Sequence, residues 1–315
     1  MAEVRMIAPN GAADRLYYYL GGLILFLNKI RHGIQGYTQP RPFPNSQIRR
    51  AIAYDFEVVR LWTQHLVEYI SPAATLEGKT ILELGPGADL GTGILTLVCG
   101  AKKYNAIDVH NLIEATPQQF YQELLNHVEN NVKDAKVDVD FLRRQLELTL
   151  RGQGDKIRYV HDKNFDVSVF EDEGIDLVVS QAAFEHFDNV EDVVMRLSKV
   201  VKAGAVLVAE VDLRTHTRWI RDADPLNIYR YEDSLYDALR FRGSPNRLRP
   251  FEYEQILKEN GWGNIRIEPM EILDKNYILK TQCKLAGRFQ DQKNGMDQLI
   301  IAVCATIRRD KALLC

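Results

Sequence analysis

Residues 79–93 read KTILELGPGADLGTG, a short apolar run that breaks on glycines and resumes as a helix. A buried strand that feeds a glycine turn and then a helix is the unit from which parallel α/β sheets are wound. The alternation continues along the chain. Further strands are predicted at 104–109, 157–161, 175–180 and 205–213, and two late ones at 264–270 and 298–307. Helices are predicted at 92–99 and 190–201. Strands alternating with helices imply parallel pairing through right-handed crossovers, hence a doubly wound sheet.

The segment before this unit is different in kind. Leu16 to Leu27 reads LYYYLGGLILFL, followed by Lys29 and Arg31. Twelve residues fall short of the ~20 that span a bilayer as a helix. The basic residues follow the apolar run and no small-residue cleavage site succeeds it, so a signal peptide is not indicated. Two readings stay open, a helix packed on the protein and one lying in a membrane interface, with the packed helix favoured. Pro40, Pro42 and Pro44 then interrupt helix formation, and Asn45 or Ser46 can cap a second helix, since apolar residues from Ile48 to Ile70 recur at helical spacing. Two stretches are too long for simple connections, 115–154 and 214–250. Both are expected near the carboxyl ends of strands, where ligands bind in open α/β sheets, as lids or substrate walls.

Composition narrows the class further. With 46% hydrophobic and 26% charged residues the chain is neither disordered nor polytopic in a membrane, and a net charge of −3 argues against a nucleic-acid-coating role. Cys99, Cys283, Cys304 and Cys315 show no C-x-x-C spacing, which suits a reducing compartment, and a cytoplasmic location is expected.

The glycine loop has several potential ligands. Gly85 and Gly87 permit a sharp turn and a close approach to a ligand. Asp108 ends the next strand, where a carboxylate accepts hydrogen bonds from ribose hydroxyls. A dinucleotide fingerprint would place glycine at position 90, where Leu90 stands, and Glu83 would repel a pyrophosphate. Gly78-Lys79-Thr80 precedes its strand and has Ala73 at the leading position, so it is no phosphate-binding P-loop. An acid beside the loop fits a cationic ligand, such as one carrying a sulfonium and an ammonium.

At these residues the chain resembles the class I S-adenosylmethionine-dependent methyltransferases. Glu83, Gly85 and Gly87 match the family's acidic residue followed by alternate glycines, while Asp89 stands where the third glycine belongs and Gly91 is offset by two. Asp108 resembles the family's ribose-binding acid. Val160-His161-Asp162-Lys163 is similar to the segment whose acid meets the adenine amino group. IDLVVSQAAFEHF, residues 175–187, is similar to the fourth strand and Glu-His turn of the small-molecule, type 11 branch. The resemblance covers roughly 75–310. It implies a Rossmann-like fold with seven mainly parallel strands, the last antiparallel, with N-terminal helices and helical lid insertions. The expected division is an N-terminal helical cap over 1–74, the methyltransferase domain over 75–310, and a tail over 311–315. The implied cofactor is S-adenosylmethionine, leaving as S-adenosylhomocysteine. Its expected binding residues are Glu83, Gly85, Pro86, Gly87, Asp108, Val109, Asp162, Lys163, Ser180 and Gln181.

A small hydroxyl-bearing acceptor is expected, for which a general base helps to remove the proton. His216 is the preferred base, with Asp212 or Glu210 to orient it, and His186 is second. Residues 214–250 hold eight arginines and no lysine, and guanidinium groups grip carboxylate or phosphate by two bonds. Arg214, Arg230, Arg247 and Arg249 are therefore expected to hold an anionic group of the acceptor, against the alternative of internal ion pairing. A lipid or quinone acceptor reached from a membrane, and a cofactor-binding protein without turnover, remain alternatives. No metal constellation is legible, and no nucleic-acid partner is expected.

Overall fold

The computed structural model describes residues 1–35, 43–133 and 135–308. Pro40, Pro42 and the 311–315 tail lie outside them. Eight strands form one sheet: β1 Ala2–Val4, β2 Thr80–Leu84, β3 Lys103–Asp108, β4 Ile157–His161, β5 Ile175–Gln181, β6 Val201–Asp212, β7 Trp262–Leu273 and β8 Gln298–Ile307, in the order β1-β7-β8-β6-β5-β2-β3-β4. Only β8 runs antiparallel to its neighbours. The count corrects the expected seven strands. The added one, β1, is three residues long and pairs in parallel on the edge strand β7. Three residues are too few for a periodicity to show.

The helices are α1 Gly11–Gln35, α2 Ile48–Tyr69, α3 Gly91–Val98, α4 Gln118–Asn131, α5 Val139–Leu150, α6 Val190–Val200, α7 Arg218–Arg221, α8 Asp233–Leu239, α9 Pro250–Glu259 and α10 Lys275–Thr281. Strand alternation divides the core. Ile81, Leu177, Val179 and Val208 turn to one face, under α2, α3, α4 and α5; Leu82, Val178, Leu207 and Ala209 turn to the other, under α6 and α9. Residues on successive strand positions thus feed opposite layers, which is why the strands are apolar throughout rather than alternating.

Residues 115–154 do not form a lid. They are the crossover from β3 to β4, and Phe120, Leu124, Val128 and Leu142 of α4 and α5 are buried in the first layer. Their length comes from two helices instead of one.

The N-terminal helix is longer than its apolar run. Leu25 is buried in a third apolar cluster with Tyr229, Tyr231, Tyr277 and Phe289, and Tyr18 packs against it. Its opposite face shows Leu16, Tyr19, Leu23, Phe26, Leu27, Ile30 and Ile34 to solvent. One side is thus packed as favoured, and the other is bare. Among the described residues no helix is long and apolar enough to cross a membrane. A 3₁₀ turn, Asn45–Gln47, leads into α2 without a side-chain cap, so neither Asn45 nor Ser46 plays the capping part expected of it.

Candidate active site

Neighbouring strands β2 and β5 send their chains to opposite sides, β2 on to β3 and β5 on to β6. Divergence of this kind opens a crevice at the strands' carboxyl ends. A cavity of about 1470 Å³ lies there, walled by residues 85–89 after β2, 108–110 after β3, 163–165 after β4, 181–183 after β5 and 215–217 after β6. α1 contributes Ile24, Leu25 and Asn28, α2 contributes Tyr54 and Asp55, and the segment after β6 adds Trp219, Ile220 and Phe241. Single small-molecule pockets hold about 300–1,000 Å³, so this cavity has room for two molecules.

The turn after β2 follows from its glycines. Gly85 and Gly87 have φ of 73° and 80°, the left-handed region that side chains resist. A Cβ on Gly85 would also stand 2.8 Å from that of Ala183, which wedges the turn against the end of β5. The turn presents the Gly87 N–H to Asp108, which accepts from it at Oδ2 (3.2 Å) and from the His110 N–H at Oδ1 (2.9 Å). Burial pushes the Asp108 carboxyl up to about 6, although these backbone donors work to lower it.

Two more acids crowd this corner. Asp89 accepts from the Gly91 N–H at 2.7 Å and opens α3. Asp55 reaches the same spot from α2, its buried Oδ2 without a hydrogen-bond partner among the described residues. A Cβ on Gly91 would stand 2.0 Å from that oxygen, so the offset glycine admits α2 to the corner. Burial, and then the Asp89 carboxylate, pushes the Asp55 carboxyl well above its ordinary value.

Glu83 is oriented differently from the expectation. Its Oε2 accepts from Tyr104 Oη (2.5 Å) and Thr92 Oγ1 (2.7 Å), and it is not among the cavity-lining residues. Ser180 likewise points inward, donating to the Leu84 carbonyl, and Asp162 closes its own turn on the Asn164 N–H. Gly85, Pro86, Gly87, Asp108, Val109, Lys163 and Gln181 do face the cavity. Tyr54 and Asp55 were invisible from sequence, because only tertiary packing brings α2 to the strand ends.

Across β5 and β6 the structure gathers Glu185, His186 and His216. The two rings stand 4.6 Å apart, centre to centre, and both line the cavity. His186 Nδ1 lies 2.6 Å from the Gly243 carbonyl, and His216 Nδ1 lies 3.0 Å from the Arg214 carbonyl. Glu185 is buried; its Oε1 is 3.8 Å from His216 Nε2 and accepts from the Asp212 N–H at 3.3 Å. Burial drives His186 below its ordinary value, against the pull of Glu185. Burial acts the same way on His216, but the Glu185 carboxylate, Asp212 and the Arg214 carbonyl outweigh it and hold the imidazolium above its ordinary value. The acid nearest the His216 ring nitrogens is therefore Glu185, and the ring's hydrogen bond goes to the Arg214 carbonyl. Asp212 is gripped through both oxygens by Arg214, and Glu210 accepts from Gln181.

The arginine wall is a correction. Arg214 bonds Asp212 and Glu271; Arg230 bonds Asp14 and Asp224; Arg247 bonds Asp233 and the carbonyls of Ile228 and Tyr231; Arg249 bonds the carbonyls of Asn294, Gly295 and Gln298. None of the four lines the cavity. Their planar forks tie a long connection to the sheet, and the support for an anionic acceptor goes with them.

Residues 82–209 match the family model described as "Methyltransferase domain". No curated protein matches the chain. Solved structures that resemble it include a putative S-adenosylmethionine dependent methyltransferase from Listeria monocytogenes, at 15% identity over 79% of this chain and 98% of that one (TM-score 0.43). The CurJ carbon methyltransferase is 13% identical over 95% and 72% (TM-score 0.44). Phosphoethanolamine N-methyltransferase 2 of Haemonchus contortus, in complex with S-adenosyl-L-methionine, is 13% identical over 87% and 59% (TM-score 0.44).

The buried acids give a pH signature. Burial lifts Glu83 from 4.5 to about 7, against the hydrogen bonds from Tyr104 and Thr92. An acid whose folded pKa is raised binds protons more tightly folded than unfolded, so stability falls as pH rises from 4.5 through 7. Glu83→Gln removes this contribution. Between pH 4.5 and 7.5 the unfolding free energy of the variant should gain on that of the parent by roughly 3 kcal/mol. Urea melts at several pH values measure it, and a constant gap would show that Glu83 ionises normally.

Proposed function

From a chain whose residues 82–209 form a class I S-adenosylmethionine-dependent methyltransferase domain, we propose O-methylation of a small, hydroxyl-bearing molecule held beside the cofactor in the same cavity. The cofactor is S-adenosylmethionine. When bound, it supplies a methyl group on a positively charged sulfur, already activated for displacement. The residues present fit it: a glycine turn in the left-handed region, a ribose-type acid, and buried carboxyl groups with no cationic partner among the described residues.

Asp108 has both oxygens anchored by backbone donors, which leaves lone pairs to accept from ribose hydroxyls. Gly85, Pro86, Gly87, Val109, Lys163 and Gln181 shape the wall, with Ser180 and Asp162 bracing it from behind and Glu83 adding negative potential. Asp55 and Asp89 extend that potential toward a cationic ligand. On the acceptor's side, Leu25, Phe165, Phe187, Trp219 and Ile220 exclude water and hold an apolar frame. The acceptor's hydroxyl proton leaves toward His216 Nε2, within the Glu185–His186–His216 cluster. The observation that carries this reading is that this imidazole cluster and the ribose-type acid open into one cavity.

A second reading concerns the acceptor's origin. The inner face of α1 lines the cavity while its outer face is an apolar stripe. An in-plane helix of this kind suits a lipophilic acceptor taken from a membrane surface.

Three outcomes test these readings. Asp108→Ala should weaken cofactor binding by about 1–3 kcal/mol, read by calorimetry with S-adenosylhomocysteine; unchanged affinity removes the ribose role. His216→Ala should leave that affinity intact and slow methylation of a small phenol or alcohol by about 10²–10⁴-fold; full activity would dismiss the ring as proton acceptor. In flotation with anionic vesicles, the parent chain should rise and a Leu23→Ser/Phe26→Ser/Leu27→Ser variant should stay behind. A parent that stays behind rejects the membrane source and leaves O-methylation standing.

A further inference from the structure

Glu185, His186 and His216 each offer one ligand atom, and all these atoms lie within 4.8 Å of one another. The arrangement goes beyond what a proton acceptor needs. A backbone carbonyl can only accept, so the Gly243 and Arg214 carbonyls place a hydrogen on Nδ1 of both rings. In the neutral rings the two Nε2 atoms then carry the lone pairs. Fixing the tautomer through the far nitrogen is the support that metal-ligating histidines almost always have. The same support appears here twice, from two separate loops.

The carboxylate points the same way. Glu185 is 2% exposed, and its Oε2 has no hydrogen-bond partner among the described residues. A buried carboxylate oxygen without a partner is costly unless a cation satisfies it. His216 Nε2, at 3.8 Å from Oε1, is too far for a hydrogen bond. That spacing suits two atoms that share one ion, whose ligands at about 2.0–2.2 Å stand roughly 3–4 Å apart. Of the neighbouring charges, Asp212 is held by Arg214, which also meets Glu271, while Glu210 accepts a hydrogen bond from the neutral Gln181 amide.

We infer that Glu185, His186 and His216 form a binding site for a divalent first-row transition metal ion at the wall of the cavity. Two imidazoles and one carboxylate favour zinc, cobalt, manganese or iron over magnesium and calcium, which prefer all-oxygen sets. Three protein ligands leave positions open toward the cavity, where an acceptor oxygen can bind. The inference deepens the O-methylation reading and rests on it only for the ion's role. An ion held there would take His216 Nε2 as a ligand and would supply a positive charge that lowers the pKa of an acceptor hydroxyl. Without the ion, the ring itself takes that proton. Sequence reading missed the site because His186 and His216 lie 30 residues apart, on the separate turns after β5 and β6.

Binding can be measured without cofactor or acceptor. The full chain, stripped with a chelator and titrated with Zn²⁺ in a calorimeter, should take up one equivalent with micromolar or tighter affinity. Co²⁺ should give visible ligand-field absorption in the same stoichiometry. Glu185→Gln, which keeps the side chain's size and its acceptor for the Asp212 N–H, and His186→Ala should each weaken Zn²⁺ at least tenfold. Should either variant fold poorly, anomalous scattering at the zinc edge from crystals of the parent chain decides: a peak between the three side chains supports the site. No saturable uptake, unchanged affinity in both variants, or a peak elsewhere overturns it. A chain that methylates a phenol yet binds no metal refutes this inference alone. One that binds zinc but methylates no hydroxyl refutes the acceptor reading and leaves the ion site in place.

Discussion

Where two parallel strands lie side by side and their chains leave for opposite faces, no crossover can cover the gap between them. In this chain β2 and β5 are that pair, and the groups discussed as functional lie at their carboxyl ends, at those of the flanking strands β3, β4 and β6, or on the elements that roof them. The remaining sheet fixes their heights. Because β2 pairs with both β3 and β5 in register, Leu84 sits level with Ile107 and Ser180, and the turns beyond them emerge at one level. Residues from five loops then face one another across a space that none of them fills.

Charge at this crevice is arranged at a cost that a folded chain does not bear idly. Glu83, Asp89, Asp108 and Asp55 are all buried, and each is held above its ordinary pKa mainly by loss of solvent. Among the described residues, no counter-charges like those that Lys103 and Arg158 bring to Glu173 are placed here. A cationic ligand lowers the energy of all four acids together, whereas a pyrophosphate would raise it. The preference for a sulfonium cofactor over a dinucleotide is thus a property of the whole corner, more than of any one contact.

How much of this was legible depends on the range over which each signal acts. Strand–turn–helix units are local, so the sequence places β2 and α3, β5, α6 and β8 to within a residue or two, and with them the Gly85–Gly87 turn and Asp108. Orientation at strand ends is not local. Glu83 stands two residues from the turn, yet its Oε2 faces Tyr104 and Thr92, because Tyr104 on β3 brings its hydroxyl beneath the turn. Charge composition misleads for a similar reason. An arginine-rich, lysine-free segment reads the same whether its forks meet a ligand or the carbonyls of a neighbouring loop. Here Arg249 is fully buried and bridges to the carbonyls of residues 294, 295 and 298, ahead of β8 and at its start.

Those buried arginines bear on the site after all. The connection from β6 to α9 carries His216, Trp219, Phe241 and Gly243 into the cavity, and a chain of that length would be mobile if unsupported. Arg230 ties it to α1 through Asp14, Arg247 ties it to itself through Asp233 and two carbonyls, and Arg249 ties its end to the turn before β8. Guanidinium groups suit this task because one planar fork fixes both position and angle. Gly243 in particular must stay put, since its carbonyl sets the His186 ring. The residues expected to hold a substrate instead hold the loop that holds the histidines, so their loss should be felt as disorder in the imidazole cluster before it is felt as unfolding of the sheet.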